Sequence, residues 1–525
     1  MKLLIVTETE SIHAARWVNQ LKETGWEVHV FQSIARESLI HSEFGFGTFH
    51  IPSPYQRPEG LPTRFTLPQA PALTEGLTKL ESKYPGVTQS LHERYLENFL
   101  RQERPDVVHS LGLNINWTNI CLPVLRVKKS MGDEFPCPWL YSTWGTDLTF
   151  YAGLSEKNLA EVRSVLQTCD YLITEHSHDH KKAQELGFKG TFAGCFTGFG
   201  GIEGAPPMAD PVPVSKRKTI FLKGRDEAAG DPVGRAMTAL RAFRLCEEAL
   251  KDYRIVVASA STSAFIKEEI AMLEATTDLR LQVLPYVSSE HLMECYGASR
   301  VFISLTVNDG IPRSLLEAMA HGAFPILGRL DSLADLVKSG ENGLLVSPED
   351  PEAVADALRK AISDNKMVDS AHQKNREIIE RDFSDGALKP RVFQMYRDVA
   401  GGVRRPGKKT GAVESLNAQA TTMAEPADQR RTGHGEAVIA LIAKAASDGS
   451  GELVELVRYA AVLDNKETWQ RLADGVSRND SKVLRQIRKA ARRGAARASV
   501  LGLFGSACGR ALRLARVRAW GKAAE

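Results

Sequence analysis

The sequence predicts an α/β protein with two doubly wound parallel-sheet domains facing a cleft, followed by an all-helical extension. Three observations lead there. Short apolar runs alternate with helix-periodic segments through the first 400 residues. The series breaks and restarts near residue 200. After Gly401 the apolar periodicity disappears.

In the first half, LLIVT (3–7) is a strand-length apolar run. Ile12 to Gly25 then places Ala14, Ala15, Val18 and Leu21 at helical spacing and stops at a glycine. WEVHVF (26–31), DVVHSL (106–111), WLYST (139–143) and YLITE (171–175) continue the strands. Continuous apolar runs between helices indicate parallel strands covered on both faces. Residues 32–95, rich in Pro, Gly and Phe, read as loops facing a cleft.

In the second half, TIFLK (219–223), YRIVVAS (253–259), LQVLPY (281–286) and VFISL (301–305) read as strands, with FPILG and GLLVS closing the sheet. Helices are expected over Arg235–Leu250, Ser263–Glu274, Ser289–Ala298 and Pro312–His321. The reading gives Rossmann-like domains over 1–200 and 201–400, meeting near GCFTGFGGIEG (194–204), a linker over 401–435 and a helical basic extension over 436–525. Ligands of such sheets bind beyond the carboxyl ends of the strands, so two in tandem imply a cleft between them.

Composition narrows the class. The chain has 525 residues, 43% hydrophobic and 25% charged, ordinary for a soluble globular protein. Glu8 and Glu10 come too early for a signal peptide, and no apolar run reaches the roughly 18 residues of a membrane span. Seven scattered cysteines without a CxxC pair fit a reducing compartment, so a cytoplasmic protein is expected. The net charge of +3 hides an asymmetry: Ser481 to Glu525 holds twelve basic residues and one acid.

The stretch NDGIPRSLLEAMAHGAFPI (308–326) follows strand VFISL and so lies at a strand's carboxyl end. The N-terminus of its helix offers unpaired N–H groups to a phosphate. Glu317, one turn in, could accept from the vicinal hydroxyls of a sugar. A second reading stands beside it: Ser314 and Glu317 fit the S-x-x-E capping box.

Residues 309–326 resemble the E-x7-E signature of glycosyltransferase family 4, retaining nucleotide-sugar enzymes of the two-domain GT-B fold. GENGLLVSPEDPEAVADAL (340–358) and SIHAARWVNQLKETGWEVHVF (11–31) also resemble that family, so the likeness extends over roughly residues 1–400. It implies that Glu317 holds the ribose, that Asp309 takes the place of the first glutamate at the donor sugar, and that Gly310 and Ile311 present backbone N–H groups. The family binds the leaving diphosphate with an Arg and a Lys, for which Lys223, Arg225 and Arg235 are the candidates, each with solvated surface as its other reading. Asp309, Arg225 and Arg235 are the expected catalytic residues; Glu317, Gly310, Ile311 and Lys223 are the expected donor contacts.

On the acceptor side STWGTDL (142–148) resembles the family's T-H-G-x-D loop, with Trp144 in place of the histidine. Asp147, His13, Arg16 and His109 are the cleft candidates there. A turn cap is the alternative for Asp147 and a core position for His109. His176, His178 and His180 carry a weak metal pattern, against which Ser177 capping a solvated helix is the alternative. No metal or other cofactor is expected beyond the sugar nucleotide itself.

The expected activity is transfer of a sugar from a nucleotide diphosphate to a hydroxyl on a cell-surface glycan or its lipid carrier. A non-catalytic GT-B binding protein and a nucleic-acid-binding or scaffold protein acting through the tail are the alternatives. RQIRKAARRGAARA lacks interleaved aromatics, so specific nucleic-acid readout is not expected. Residues 481–525 suit an anionic membrane surface, which would place the protein on the inner leaflet; packing on the acidic body is the alternative.

Overall fold

A computed structural model describes residues 1–34, 40–50, 64–65, 87–115, 118–202, 212–227, 231–258, 264–284 and 287–402. The expected extension 436–525, its basic segment 481–525, and all but the first two residues of the expected linker lie outside the described residues.

The first domain is built on β1 (Lys2–Thr7), β2 (Glu27–Gln32), β3 (Thr48–His50), β4 (Arg64–Phe65) and β5 (Val107–Leu111). After a small antiparallel pair, β6 (Asn114–Ile115) and β7 (Thr118–Asn119), come β8 (Trp139–Ser142), β9 (Tyr171–Thr174) and β10 (Thr191–Cys195). The eight-stranded sheet runs β10-β9-β8-β5-β1-β2-β3-β4, with every pairing parallel. Period-2 alternation sends Leu4 and Val6 into one apolar cluster and Leu3 and Ile5 into the other. Both faces are covered, which is why these strands read as unbroken apolar runs.

The second domain repeats the plan. Its strands β11 (Thr219–Lys223), β12 (Arg254–Ala258), β13 (Arg280–Val283), β14 (Ser299–Ser304), β15 (Phe324–Gly328) and β16 (Leu344–Val346) are ordered β13-β12-β11-β14-β15-β16, again all parallel. Ile220 and Leu222 point to one core and Phe221 to the other.

Two expectations are corrected. Part of 32–95 is regular: a helix spans Val87–Glu103 and buries Leu96, Phe99 and Leu100 against the first sheet. The division at residue 400 is not spatial either. The last described helix, Asp385–Gly402, returns to the first domain and packs Leu388, Val392, Met395, Tyr396 and Val399 with Leu3, Ile5 and Trp17. Trp17 Nε1 donates to Tyr396 Oη at 2.9 Å. The chain therefore crosses between domains twice. The crossings are joined where Ile202 N donates to Phe383 O (2.9 Å) and Asp385 N to Ile202 O (3.0 Å).

Candidate active site

β14 delivers the turn Asn308–Pro312, and the helix Arg313–Ala320 follows. Ile311, Leu315 and Leu316 anchor it in the core. Pro312 is the N-cap, and no side chain caps the helix. The capping box does not form. Ser314 Oγ is buried without a partner, and Glu317 Oε1 instead accepts from Arg313 Nε at 2.7 Å. Arg313 also donates to Gly201 O at 3.1 Å and lies over the Phe199 ring. The pair lines an interdomain cavity of about 1150 Å³, walled by Arg16 and Gln20 from the first domain and Met293 and Gly297 from the second.

Asp309 sits at the head of the turn. Its Oδ1 accepts from Gly310 N at 3.0 Å, while Oδ2 is buried with no hydrogen-bond partner. Arg225 Nη1 stands 3.6 Å from that oxygen, and Arg225 Nε is ion-paired with Asp231. Lys223, the last residue of β11, is partly buried, and its side chain makes no hydrogen bond or ion pair with the described residues. Burial lowers its pKa and Asp309 opposes that. Unpaired buried polar atoms are costly and mark places where a ligand completes the bonding.

Arg235 does not join this group. It pairs with Glu349 (3.1 Å) and Glu227 (3.2 Å), both exposed, and donates to the carbonyls of Pro232 and Gly234.

On the first-domain side, His13 opens onto the cleft 6.0 Å from the Trp144 ring and 5.8 Å from that of Phe199. Desolvation by the facing walls, then the charges of Arg16, Arg313 and Lys223, lower its pKa to about 4. It is a neutral imidazole at neutral pH. Arg16 lines the cavity.

Two first-domain candidates are corrected. His109 is fully buried, with Nδ1 2.6 Å from Tyr396 Oη and Nε2 bonded to Ser142 Oγ, so it is a satisfied core histidine. Asp147 is fully buried too. Its Oδ2 accepts from the backbone N–H of Leu113 (2.8 Å) and Trp144 (2.8 Å) and from Tyr141 Oη (2.9 Å), which fixes the turn rather than facing a ligand.

The histidine series is dispersed as well. His176 N-caps the helix Ser177–Glu185, and His180 stacks on Phe192 at 3.8 Å. Ser177 does not cap; its Oγ donates across the cleft to Asp335 Oδ2 at 2.6 Å. Elsewhere Glu27, His29 and Glu103 converge at the opposite end of β2, where Lys2 Nζ already pairs with Glu103 (2.7 Å) and Glu27 (3.6 Å).

The residues that sequence reasoning missed are Arg313 and Glu175. Arg313 lies four residues before Glu317, a spacing that puts both on one helix face. Glu175 follows β9, at the carboxyl end where such sheets bind ligands.

Residues 229–378 match the family Glycosyl transferases group 1. That span takes in Arg235, Asp309 and Glu317 but begins after Lys223 and Arg225. Among curated proteins of this kind, D-inositol 3-phosphate glycosyltransferase of Corynebacterium urealyticum is 37% identical over 76 residues, 14% of this chain and 18% of its own. The capsular polysaccharide biosynthesis glycosyltransferase CapM of Staphylococcus aureus is 25% identical over 142 residues, 27% of this chain and 37% of its own. A probable sucrose-phosphate synthase of Arabidopsis thaliana is 28% identical over 182 residues, 31% of this chain and 17% of its own. The chain thus spans well under half the length of these relatives.

Two solved structures extend the likeness to the first domain. Anabaena HepE, in complex with UDP and glucose, is 12% identical and aligns with 76% of this chain and 100% of its own at a TM-score of 0.52. Sucrose-phosphate synthase of Thermosynechococcus elongatus is 16% identical, aligned over 77% and 100% at 0.53. At these identities the likeness is one of fold, and the fold is GT-B.

Proposed function

We propose that this chain transfers a sugar from a nucleotide diphosphate donor to a hydroxyl acceptor. One observation carries the reading: Asp309, with a buried unsatisfied Oδ2, and Glu317, free of capping duty, bracket a helix N-terminus that faces Lys223 and Arg225. In the Michaelis complex Glu317 would exchange Arg313 for the ribose hydroxyls. Gly310 and Ile311 would offer N–H groups to the diphosphate, and Asp309 would meet the sugar. Charge that develops on the leaving diphosphate would be stabilised by Lys223, Arg225 and the helix end, prepositioned in a desolvated cleft. These cations supply the electrostatic role a divalent metal plays in other transferases, which supports metal-independent transfer. Retention of configuration rests on the family resemblance.

A cell-surface glycan or its lipid carrier is the proposed acceptor class, in keeping with the capsular relative. Work at the cytoplasmic leaflet is proposed from the charge pattern of 481–525. No helix among the described residues is long and apolar enough to cross a membrane. Sedimentation with anionic vesicles, comparing the full chain with one ending at Asp480, tests that part.

A ligand that binds only the native state raises its melting temperature. A thermal-shift screen against UDP-, GDP- and ADP-sugars should find at least one stabilising donor, whose turnover is then followed with glycan or lipid acceptors. Stabilisation without hydrolysis or transfer would make the protein a binder. No stabilisation by any sugar nucleotide would reject the site.

A further inference from the structure

Among the described residues, Glu175 is an acid of the first domain that reaches the donor turn. It is 9% exposed, at the carboxyl end of β9. Its Oε1 accepts from Gly198 N at 3.2 Å. Its Oε2 points across the cleft at Gly310: a Cβ added to Gly310 would stand 1.7 Å from that oxygen. A Cβ added to Gly145 would lie 1.8 Å from Gly310 N. Glycine on both walls is what lets the domains approach this closely. Trp144 borders the same space, since a Cβ on Gly198 would meet its indole at 2.7 Å and Glu175 Oε1 at 3.1 Å. The indole N–H is buried without a partner, as is Asp309 Oδ2. Two domains therefore bring unspent hydrogen-bonding groups to one turn.

The two acids have different company. Asp309 has Arg225 beside it. Glu175 is buried, and the groups acting on it are Asp309 from the turn after β14, Asp179 from the helix Ser177–Glu185 and Asp147 from the turn after β8. Burial first, then the Asp309 charge, holds its carboxyl well above the usual range, against the Gly198 N–H. An un-ionised carboxyl donates as well as accepts, whereas a carboxylate only accepts. Acids in contrasting surroundings take contrasting roles.

We propose that Glu175 contacts the transferred sugar directly, its Oε2 hydrogen-bonding a hydroxyl of the sugar seated at the Asp309–Gly310 turn. This deepens the transferase reading and rests on it. For the sugar to enter, the Gly145–Gly310 approach must open; the acid then meets the sugar where it now meets the glycine.

The test uses the full chain with the donor found by the screen, following kcat/KM from pH 6 to 9 for wild type, Glu175→Gln and Glu175→Ala. Gln keeps a donor and an acceptor of the same reach, so Glu175→Gln should stay within about threefold of wild type. Glu175→Ala should lose about tenfold or more, with most of the loss in kcat if the contact tightens in the transition state. Equal damage in both variants, or an unimpaired Glu175→Ala, would overturn the proposal. If wild type turns over no sugar nucleotide, the transferase reading and the sugar contact both fall. Melting would then still decide the protonation state. An acid whose folded pKa is raised binds a proton the unfolded chain has released, so wild type loses stability as pH rises. The melting advantage of Glu175→Gln over wild type should therefore widen as pH rises above the ordinary carboxylate range, and a constant difference would show that burial does not raise its pKa.

Discussion

The two walls of the cleft are built differently. On the second-domain wall, Lys223 and Arg225 follow the course of β11 and its end, while Asp309 to Glu317 form a turn and a helix start within nine residues. On the first-domain wall, His13 comes from the start of the helix Ile12–Asn19 after β1, and Trp144 and Glu175 from the turns after β8 and β9. His109 and Asp147, in equally suggestive positions, face inward. A wall made of one contiguous motif can be recognised by spacing, because local geometry sets the separation of its groups. A wall made of separate strand ends depends on which way each side chain turns, and that is decided by packing.

The contrast can be broken first at the proposed phosphate site. Arg225→Ala or Lys223→Ala should lower kcat/KM by about ten- to a thousandfold, the scale of losing one transition-state donor. Arg235→Ala, held by Glu227 and Glu349, should change it by less than about threefold, within the range of a surface change. Equal losses at all three positions would mean that the apo pairing of Arg235 says nothing of its role with donor bound.

Next comes Glu317→Gln, which should cost about ten- to a hundredfold in kcat/KM, the worth of hydrogen bonds to a charged group. A simple helix-capping role would leave turnover near wild type, since Gln also serves in a capping box.

On the other wall His109→Phe should do the reverse. It strands the partners Tyr396 and Ser142, so it should destabilise by about 1–3 kcal/mol in denaturant titrations while leaving kcat per folded molecule nearly unchanged. A large loss of kcat without loss of stability would return His109 to the cleft.

The smallest effect is expected at Asp179. Burial raises its pKa to about 7 despite the Thr143 hydroxyl donating to it. The unfolded chain gives up this proton at ordinary carboxylate pH and the folded chain near 7, so stability falls as pH rises through that window. The melting temperature of Asp179→Asn minus that of wild type should widen between about pH 4 and 7 and level off above. A flat difference would mean the carboxyl is solvated in solution.

Most of the sheet was legible because the central strands are buried on both faces, which leaves an uninterrupted apolar run. The helix Val87–Glu103 was not, because its start lies beside Pro- and Gly-rich sequence that reads as loop. β10 carries two small residues in TFAGC and sits at the sheet edge, so it lacked the apolar signal. The contiguous turn and helix of the second-domain wall were legible through their motif, and the structure removed the capping-box alternative by pairing Glu317 with Arg313. Arg235 was overvalued, because sequence shows a cation at a helix start but not the Glu227 and Glu349 that engage it. Glu175 was passed over for lack of a motif, though its place at a strand's carboxyl end was readable in YLITE.

The return of the last helix also governs the order in which the protein can be assembled during synthesis. Domains generally fold in turn as the ribosome delivers them. Here Trp17 waits for Tyr396, which is 379 positions later, so part of the face that holds Leu3 and Ile5 stays uncovered until the entire second domain has emerged. A fragment ending near residue 200 should therefore be aggregation-prone, with its apolar face open to other nascent chains. Moving Asp385–Gly402 ahead of Met1 in a circular permutant would supply the covering helix at the outset and let the first domain close before the second is made.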